Sequence, residues 1–137
     1  MQQLKRRSNW PEALDAFIAS RRERPFRYGP NDCARFAAGA VEAQTGVNLM
    51  AGMRYASKAG ADRLIESEGG LLAALRARLP LIPPAQAGRG DVGLVDFDGA
   101  DASAPAVCVV LADRLAAVGA QGLVFLPRSR LRAAFKV

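Results

Sequence analysis

The sequence predicts an α+β fold in which a helical first half precedes an antiparallel sheet. Residues from about 9 to 79 are rich in Ala, Leu and Arg, and their apolar positions recur at helical spacing. Residues 91–137 instead form short apolar segments separated by glycine and aspartate, as in a sheet of hairpins. With 137 residues, 50% of them hydrophobic, the chain can build one core, so we expect a single domain over residues 1–137.

The first helix is predicted to begin at Asn9, which forms a capping pair with Glu12. Four apolar residues then share one helical face and should be buried together. They are Trp10, Leu14, Phe17 and Ile18. Pro25 should end this segment, because proline cannot continue a helix.

A second helix is predicted from Cys33 to Gln44, with Asn31 or Asp32 as its cap and Gly46 as its left-handed end. Its apolar face consists mostly of alanine, and Gly39 lies beside that face. Small residues allow a helix to approach another backbone closely, so we expect this helix to pack centrally against the sheet.

Two shorter helices should follow, over residues 61–68 and 71–79, with a break at Gly69-Gly70. About five strands are then expected. They are residues 92–97 (ending at Asp98-Gly99), 106–111, 115–118, 123–126 and 131–137. Asp113-Arg114 and Ala120-Gln121-Gly122 are short enough for hairpin turns, which favours a meander. The Arg89-Gly90-Asp91 triplet should shape the loop that enters the first strand.

The charge and the residue counts limit the possible functions. A net charge of +6, dominated by arginine, is compatible with a polyanion partner, but no basic stripe alternates with aromatic residues, so we do not expect nucleic-acid binding. The two cysteines lack zinc-site spacing, and the chain has no histidine, so we expect no metal and no cofactor. No apolar run reaches membrane-spanning length, and residues 1–7 lack a signal-peptide pattern, which favours a soluble protein made in a cytoplasm.

Cys33 is the candidate functional residue, because the sequence puts its thiol in the first turn of a helix. The helix dipole and unpaired amides at that position lower a thiol pKa and can stabilise an oxyanion. A buried cysteine that only packs is the alternative, since cysteine is also a common core residue.

The sequence around Cys33 resembles the NlpC-like family of papain-fold cysteine peptidases. The resemblance rests on an aromatic lead from Phe26 to Gly29, on Asp32-Cys33 with Phe36 after it, and on Gly90-Asp91-Val92. It covers roughly residues 25–126. It implies a papain-like fold, with the helices packed on the sheet, and Cys33 as the position of a nucleophile.

More narrowly, the chain resembles a phage-encoded, tail-associated branch of that fold. The matching segments extend over nearly the whole length. They are Trp10, Arg24 to Phe26, Gly29 to Ala34, Thr45-Gly46, Gly69-Gly70, Arg89 to Val92, Gly122 to Val124 and Phe135 to Val137.

The resemblance also indicates what the chain lacks. In active members, a histidine at the start of the second strand pairs with the cysteine, and that position falls at or near Ala106. A polar residue on the third strand orients the histidine, and here the position, Ala116 or Ala117, is apolar. Asp96, Asp98 and Asp101 are the remaining candidate bases. An aspartate of ordinary pKa accepts a proton from a thiol poorly, however, and its charge opposes thiolate formation.

Cys108 lies two residues after Ala106, so the two should share one face of a strand. If Ala106 faces the central helix, Cys108 faces it too and lies near Cys33. We expect both thiols to be reduced, because a cytoplasm disfavours disulfides.

These observations favour a degenerate NlpC-like domain that is a structural or assembly component of a phage tail, at the tip or baseplate. Its partners would be other tail proteins, and it would end up in the virion. One alternative is an active thiol hydrolase that cleaves peptidoglycan peptides, with Cys33 as nucleophile and a base from a partner or a carboxylate. A polyanion-binding protein is the second alternative.

Overall fold

The chain folds into four helices followed by a six-stranded antiparallel sheet, in a computed structural model that describes residues 4–97 and 105–137. The helices are α1 (Trp10–Arg21), α2 (Cys33–Thr45), α3 (Lys58–Ser67) and α4 (Leu71–Arg76). The strands are β1 (Leu81–Ile82), β2 (Val92–Val95), β3 (Ala106–Val110), β4 (Arg114–Gly119), β5 (Gly122–Pro127) and β6 (Leu131–Phe135). The predicted α+β class, with helices first and sheet second, is confirmed.

The strand order β1-β6-β2-β3-β4-β5 confirms only part of the expected meander. Strands β2 to β5 each pair antiparallel with their neighbours in sequence, as predicted. The last strand does not extend this series, because β6 returns to the other side of β2 and pairs with it. The prediction also missed β1, which consists of two residues and pairs with β6.

Helix α2 packs against β3 and β4, and α1 packs against α2. The main core lies between α2 and one face of the sheet. The buried residues Phe36, Ala37, Ala40 and Val41 meet Val92, Leu94, Val107, Val109, Ala116, Val118 and Phe135 there. Each fully buried Val or Phe contributes about 1.5–3 kcal/mol, so this layer fixes the position of α2. The predicted central helix is therefore confirmed.

A second apolar cluster covers the opposite face of the sheet. Its buried members include Val95, Cys108, Val110, Leu115, Ala117 and Ala134. The strands β2 and β3 are buried on both faces, which explains why their sequences are apolar at nearly every position.

The close approach predicted for α2 occurs at Gly39, but its partner is α1. A Cβ atom at Gly39 would lie 2.6 Å from the ring of Phe17, so only glycine leaves room for that ring. The ring of Phe17 also stacks on Phe36 at 5.6 Å between centroids. Ala37 and Ala40 of α2 pack in the core against the sheet, while Gly39 accommodates the neighbouring helix.

Several predicted helix ends differ from the structure. Asn9 occupies the N-cap position of α1, but its side chain makes no capping hydrogen bond, so the predicted capping pair is wrong. Helix α3 begins at Lys58 because the Ser57 hydroxyl accepts from the amide of Gly60 at 3.1 Å. The break at Gly69-Gly70 is confirmed by positive φ at both residues. The predicted strand end at Asp98-Gly99 lies outside the described residues.

Candidate functional site

The start of α2 has the capped geometry that the sequence predicts, and the cap is Asp32 rather than Asn31. One Asp32 carboxylate oxygen accepts from the amide of Arg35 at 2.9 Å, and the other accepts from Gly29 at 3.0 Å. The side-chain amide of Asn31 instead donates to two carbonyl oxygens of the preceding loop, those of Arg24 and Pro25. Cys33 is the first residue of the helix and is half-buried.

Cys33 lines a cavity of about 180 Å³ between α2, α3, α4 and the sheet. Most of the lining is apolar. It includes Ala34, Ala37, Ala38 and Val41 of α2, Ala61, Leu64 and Ile65 of α3, Leu71, Ala74 and Leu75 of α4, and Val92, Val107 and Val118 of the sheet. The thiol therefore lies beside an apolar space rather than a polar cleft.

Tyr55 is a polar residue near this helix start that the sequence motifs did not point to. Burial raises the pKa of the Tyr55 hydroxyl above its usual range, and a hydrogen bond to Asp32 makes the second-largest contribution to this increase. A charge on Cys33 raises it further, which puts Tyr55 within electrostatic reach of the thiol. The guanidinium of Arg35 lies 5.1 Å from the Tyr55 ring and donates to the carbonyl of Met53. The loop that contains Tyr55 is thus attached to the first turn of α2.

The start of β3 reaches the same cavity, and it offers no proton acceptor. Pro105, Ala106 and Val107 line the cavity opposite Cys33's helix, and none of their side chains can take a proton. Ala106, at or near which the histidine position is predicted, thus borders the same cavity as Cys33, although it packs with the apolar cluster on the opposite face of the sheet. Ala116, one of the two predicted third-strand positions, is buried on the α2 face of the sheet.

The candidate carboxylate bases do not meet Cys33 in the described structure. Asp96 is exposed and pairs with Arg132 at 2.8 Å, and it does not line the cavity. Asp98 and Asp101 lie outside the described residues. Asp32 is adjacent to the thiol, but its oxygens are occupied by the capping hydrogen bonds.

The sequence predicts that Ala106 and Cys108 share a face but leaves open which face that is. Ala106 and Cys108 do share a face, but they pack into the cluster on the opposite side of the sheet, while Val107 faces α2. Burial raises the pKa of Cys108 to about 12, with a smaller contribution from the charge of Cys33. Both cysteines are reduced thiols in the structure.

The Arg89-Gly90-Asp91 loop has the structural role that the sequence predicts. Asp91 is fully buried and accepts from the amide of Gly88 at 2.8 Å and from that of Val137 at 3.0 Å. Gly90 has a φ of 91°, and a Cβ there would lie 2.3 Å from the Gln44 side-chain oxygen. A tight turn around a buried carboxylate thus leads into β2.

Many arginines contribute to the fold instead of forming a free basic surface. Arg6 donates to Gln44 and pairs with Asp91, and Arg78 forms a two-point ion pair with Glu68. Arg128 donates to the carbonyls of Ala112, Pro84 and Ala87. These contacts account for part of the basic composition without a polyanion.

Neither a metal centre nor a membrane span emerges from the parts of the chain that are described. Over residues 4–97 and 105–137, no three His, Cys, Asp or Glu side chains gather closely enough to hold a metal ion. Within the same ranges, none of the helices combines the length and the apolar character needed to cross a bilayer.

Comparison with known proteins assigns the chain to a family. Residues 5–137 match the family described as "Domain of unknown function (DUF6950)", so the chain belongs to the DUF6950 family. No curated protein and no solved structure matches it. The likeness to NlpC-like peptidases therefore remains a prediction from sequence motifs.

Proposed function

We propose that this protein is a catalytically inactive domain of the papain-like, NlpC type that serves as a structural or assembly component of a phage tail, at the tip or baseplate. The fold part of the proposal draws on a thiol in the first position of a capped helix that packs on an antiparallel sheet. This is the arrangement that the sequence resemblance implies.

One observation carries the loss of catalysis. The start of β3 borders the cavity beside Cys33 with Pro105, Ala106 and Val107, and none of these side chains can act as the base that a thiol peptidase needs. The chain contains no histidine that could reach the thiol from another element. Among the described residues, the carboxylates that border the cavity are engaged in a helix cap or in ion pairs, so neither thiolate formation nor protonation of a leaving amine has a free partner there.

A second observation explains why the Asp32-Cys33 motif persists without chemistry. Asp32 caps α2 and also accepts a hydrogen bond from the Tyr55 hydroxyl, while Cys33 packs against the main hydrophobic core. The motif therefore stabilises the helix that holds the sheet. Packing and capping suffice as its role.

The tail assignment is supported by the motifs shared with the phage-encoded branch, which run from Trp10 to Val137. The partners in this proposal are other tail proteins, and the final location is the virion. A multi-protein assembly needs no active site in each component, which agrees with the loss of the base.

An active thiol hydrolase is the second candidate, favoured by the half-buried thiol at a helix N-terminus beside a cavity. This candidate requires a base from a partner chain or from a carboxylate other than Asp32 and Asp96, because Asp32 is engaged in capping and Asp96 pairs with Arg132. No comparable observation supports polyanion binding, since several arginines donate hydrogen bonds to other residues of the protein.

Genetic complementation separates the two leading candidates. In a phage deleted for this gene, a Cys33→Ala copy should restore tail assembly, and mass spectrometry should find the variant in purified tails. The structural role would be overturned if only the wild-type copy restored tail assembly while circular dichroism showed that the Cys33→Ala protein is folded. Absence of the wild-type protein from purified tails would overturn the tail assignment.

A further inference from the structure

We infer that the cavity between α2, α3, α4 and the sheet is a binding site for a small uncharged apolar group, of the size of one aromatic ring or a short alkyl chain. This inference does not depend on the proposed tail function. It rests on the lining of the cavity, on its volume, and on the state of each charged side chain around it.

The volume sets the size of the ligand. The cavity measures about 180 Å³, similar to the apolar cavity of about 150 Å³ that was engineered in another protein and binds benzene. An apolar space of this size stays dry unless polar groups are available to hold water. An aromatic or aliphatic group can fill the cavity and bury its apolar surface against the apolar side chains of the lining.

The lining excludes a charged ligand. Among the described residues, four charged side chains border the cavity, and each already has a partner within the protein. Glu68 and Arg78 pair with each other, Asp62 pairs with Lys58 at 2.8 Å, and Asp32 caps α2. A ligand charge would therefore lose its hydration without gaining an ion pair, which is costly in an apolar space.

The walls of the cavity come from separate elements, so the site belongs to the tertiary fold. Helix α2 contributes Ala38, helix α4 contributes Ala74, and the sheet contributes Val107. The small alanine side chains on the helices leave the space open. A larger apolar side chain at either alanine should occupy the ligand's volume.

Cys33 provides a built-in reporter of occupancy. It lines the cavity and is half-buried, whereas Cys108 has no exposed surface. N-ethylmaleimide, which is uncharged, should therefore alkylate Cys33 first, and a Cys33→Ser variant identifies that product. A ligand at about ten times its Kd leaves roughly one tenth of the sites open, so alkylation should slow about tenfold.

The experiment compares three probes that share one ring but differ in charge: toluene, benzoate and benzylammonium. Toluene should slow the alkylation of Cys33 and raise the Tm of the wild-type protein, and the two ions should do so less. Ala38→Leu and Ala74→Leu should each remove the toluene effect. Ala16→Leu, the same change at an exposed position of α1, should leave it intact.

The two cavity-filling substitutions lie on different helices, and circular dichroism checks that each variant is folded. If one variant misfolds, the other still tests the inference. The inference is overturned if toluene neither protects Cys33 nor raises the Tm of the wild type. It is equally overturned if protection survives in a folded filling variant, or if either ion protects as strongly as toluene.

Discussion

The backbone N–H of Val137 donates to the side chain of Asp91 over 3.0 Å, which ties the residues after β6 to the loop that enters β2. The same carboxylate oxygen lies 3.3 Å from the guanidinium of Arg6, and the other oxygen accepts from Gly88. Because Asp91 is fully buried, these contacts replace its hydration. One side chain thus joins three distant segments of the sequence.

Replacing Asp91 with alanine should strongly destabilise the protein. Arg6 would lose its ion-pair partner and two amides would lose their acceptor, so we expect a loss of about 3–5 kcal/mol in the free energy of unfolding. Urea unfolding measures the change. Asp96→Ala is the matched control, because its carboxylate is 63% exposed and its pair with Arg132 should contribute less than about 1 kcal/mol. Equal effects of the two substitutions would contradict this role of Asp91.

Replacing Asp32 with alanine should destabilise α2 through loss of its cap. Removal of an N-cap side chain costs about 0.5–2 kcal/mol, and Asp32→Ala should reach the upper end because Gly29 and Tyr55 also lose their acceptor. Thermal unfolding should show the loss. Asp32→Asn keeps a capping oxygen and should lose less stability. An alanine variant as stable as the wild type would show that the cap is dispensable.

Stability should decrease at alkaline pH because of Cys108. Its pKa is raised from 9.0 to about 12 in the folded protein, chiefly by burial, so the unfolded chain releases this proton first. The stabilisation is complete below pH 9 and is lost as the pH rises towards 12, by up to about 1.4 kcal/mol per pH unit for one proton. The raised pKa of Tyr55 acts in the same direction.

Urea unfolding of the wild type and of Cys108→Ala between pH 7 and 11 checks this prediction. The alanine variant should be less stable at pH 7, because it leaves a small cavity, and the difference should narrow above pH 9. Parallel curves for the two proteins over the whole range would mean that Cys108 is not the titrating group.

Local features of the site could be predicted from the sequence, whereas its distant contacts could not. Asp32 caps a helix that begins one residue later, and Gly46 ends that helix with a φ of 81°. Both residues are adjacent in sequence to the helix end that they determine. The hydrogen bond between Tyr55 and Asp32, and the pair between Arg6 and Asp91, join residues far apart in sequence. No local pattern indicates such contacts.

The sheet shows the same division. The hairpins before and after β4 follow from short turns, but the pairing of β6 with β2 depends on the packing of the whole sheet. The face that Cys108 occupies could not be predicted for a related reason. Alternate residues of a strand share a face, so the sequence shows that Ala106 and Cys108 lie on the same side of β3. Because β3 is apolar throughout, its sequence does not show which of its two faces meets α2.

The most direct test of the central claim, that the site of Cys33 lacks the base needed for catalysis, is the hydrolysis of purified muropeptides by the isolated protein. Chromatography with mass spectrometry should detect no product above the buffer control, for the wild type and for Cys33→Ser alike. Product that forms with the wild type and disappears in Cys33→Ser would contradict the claim.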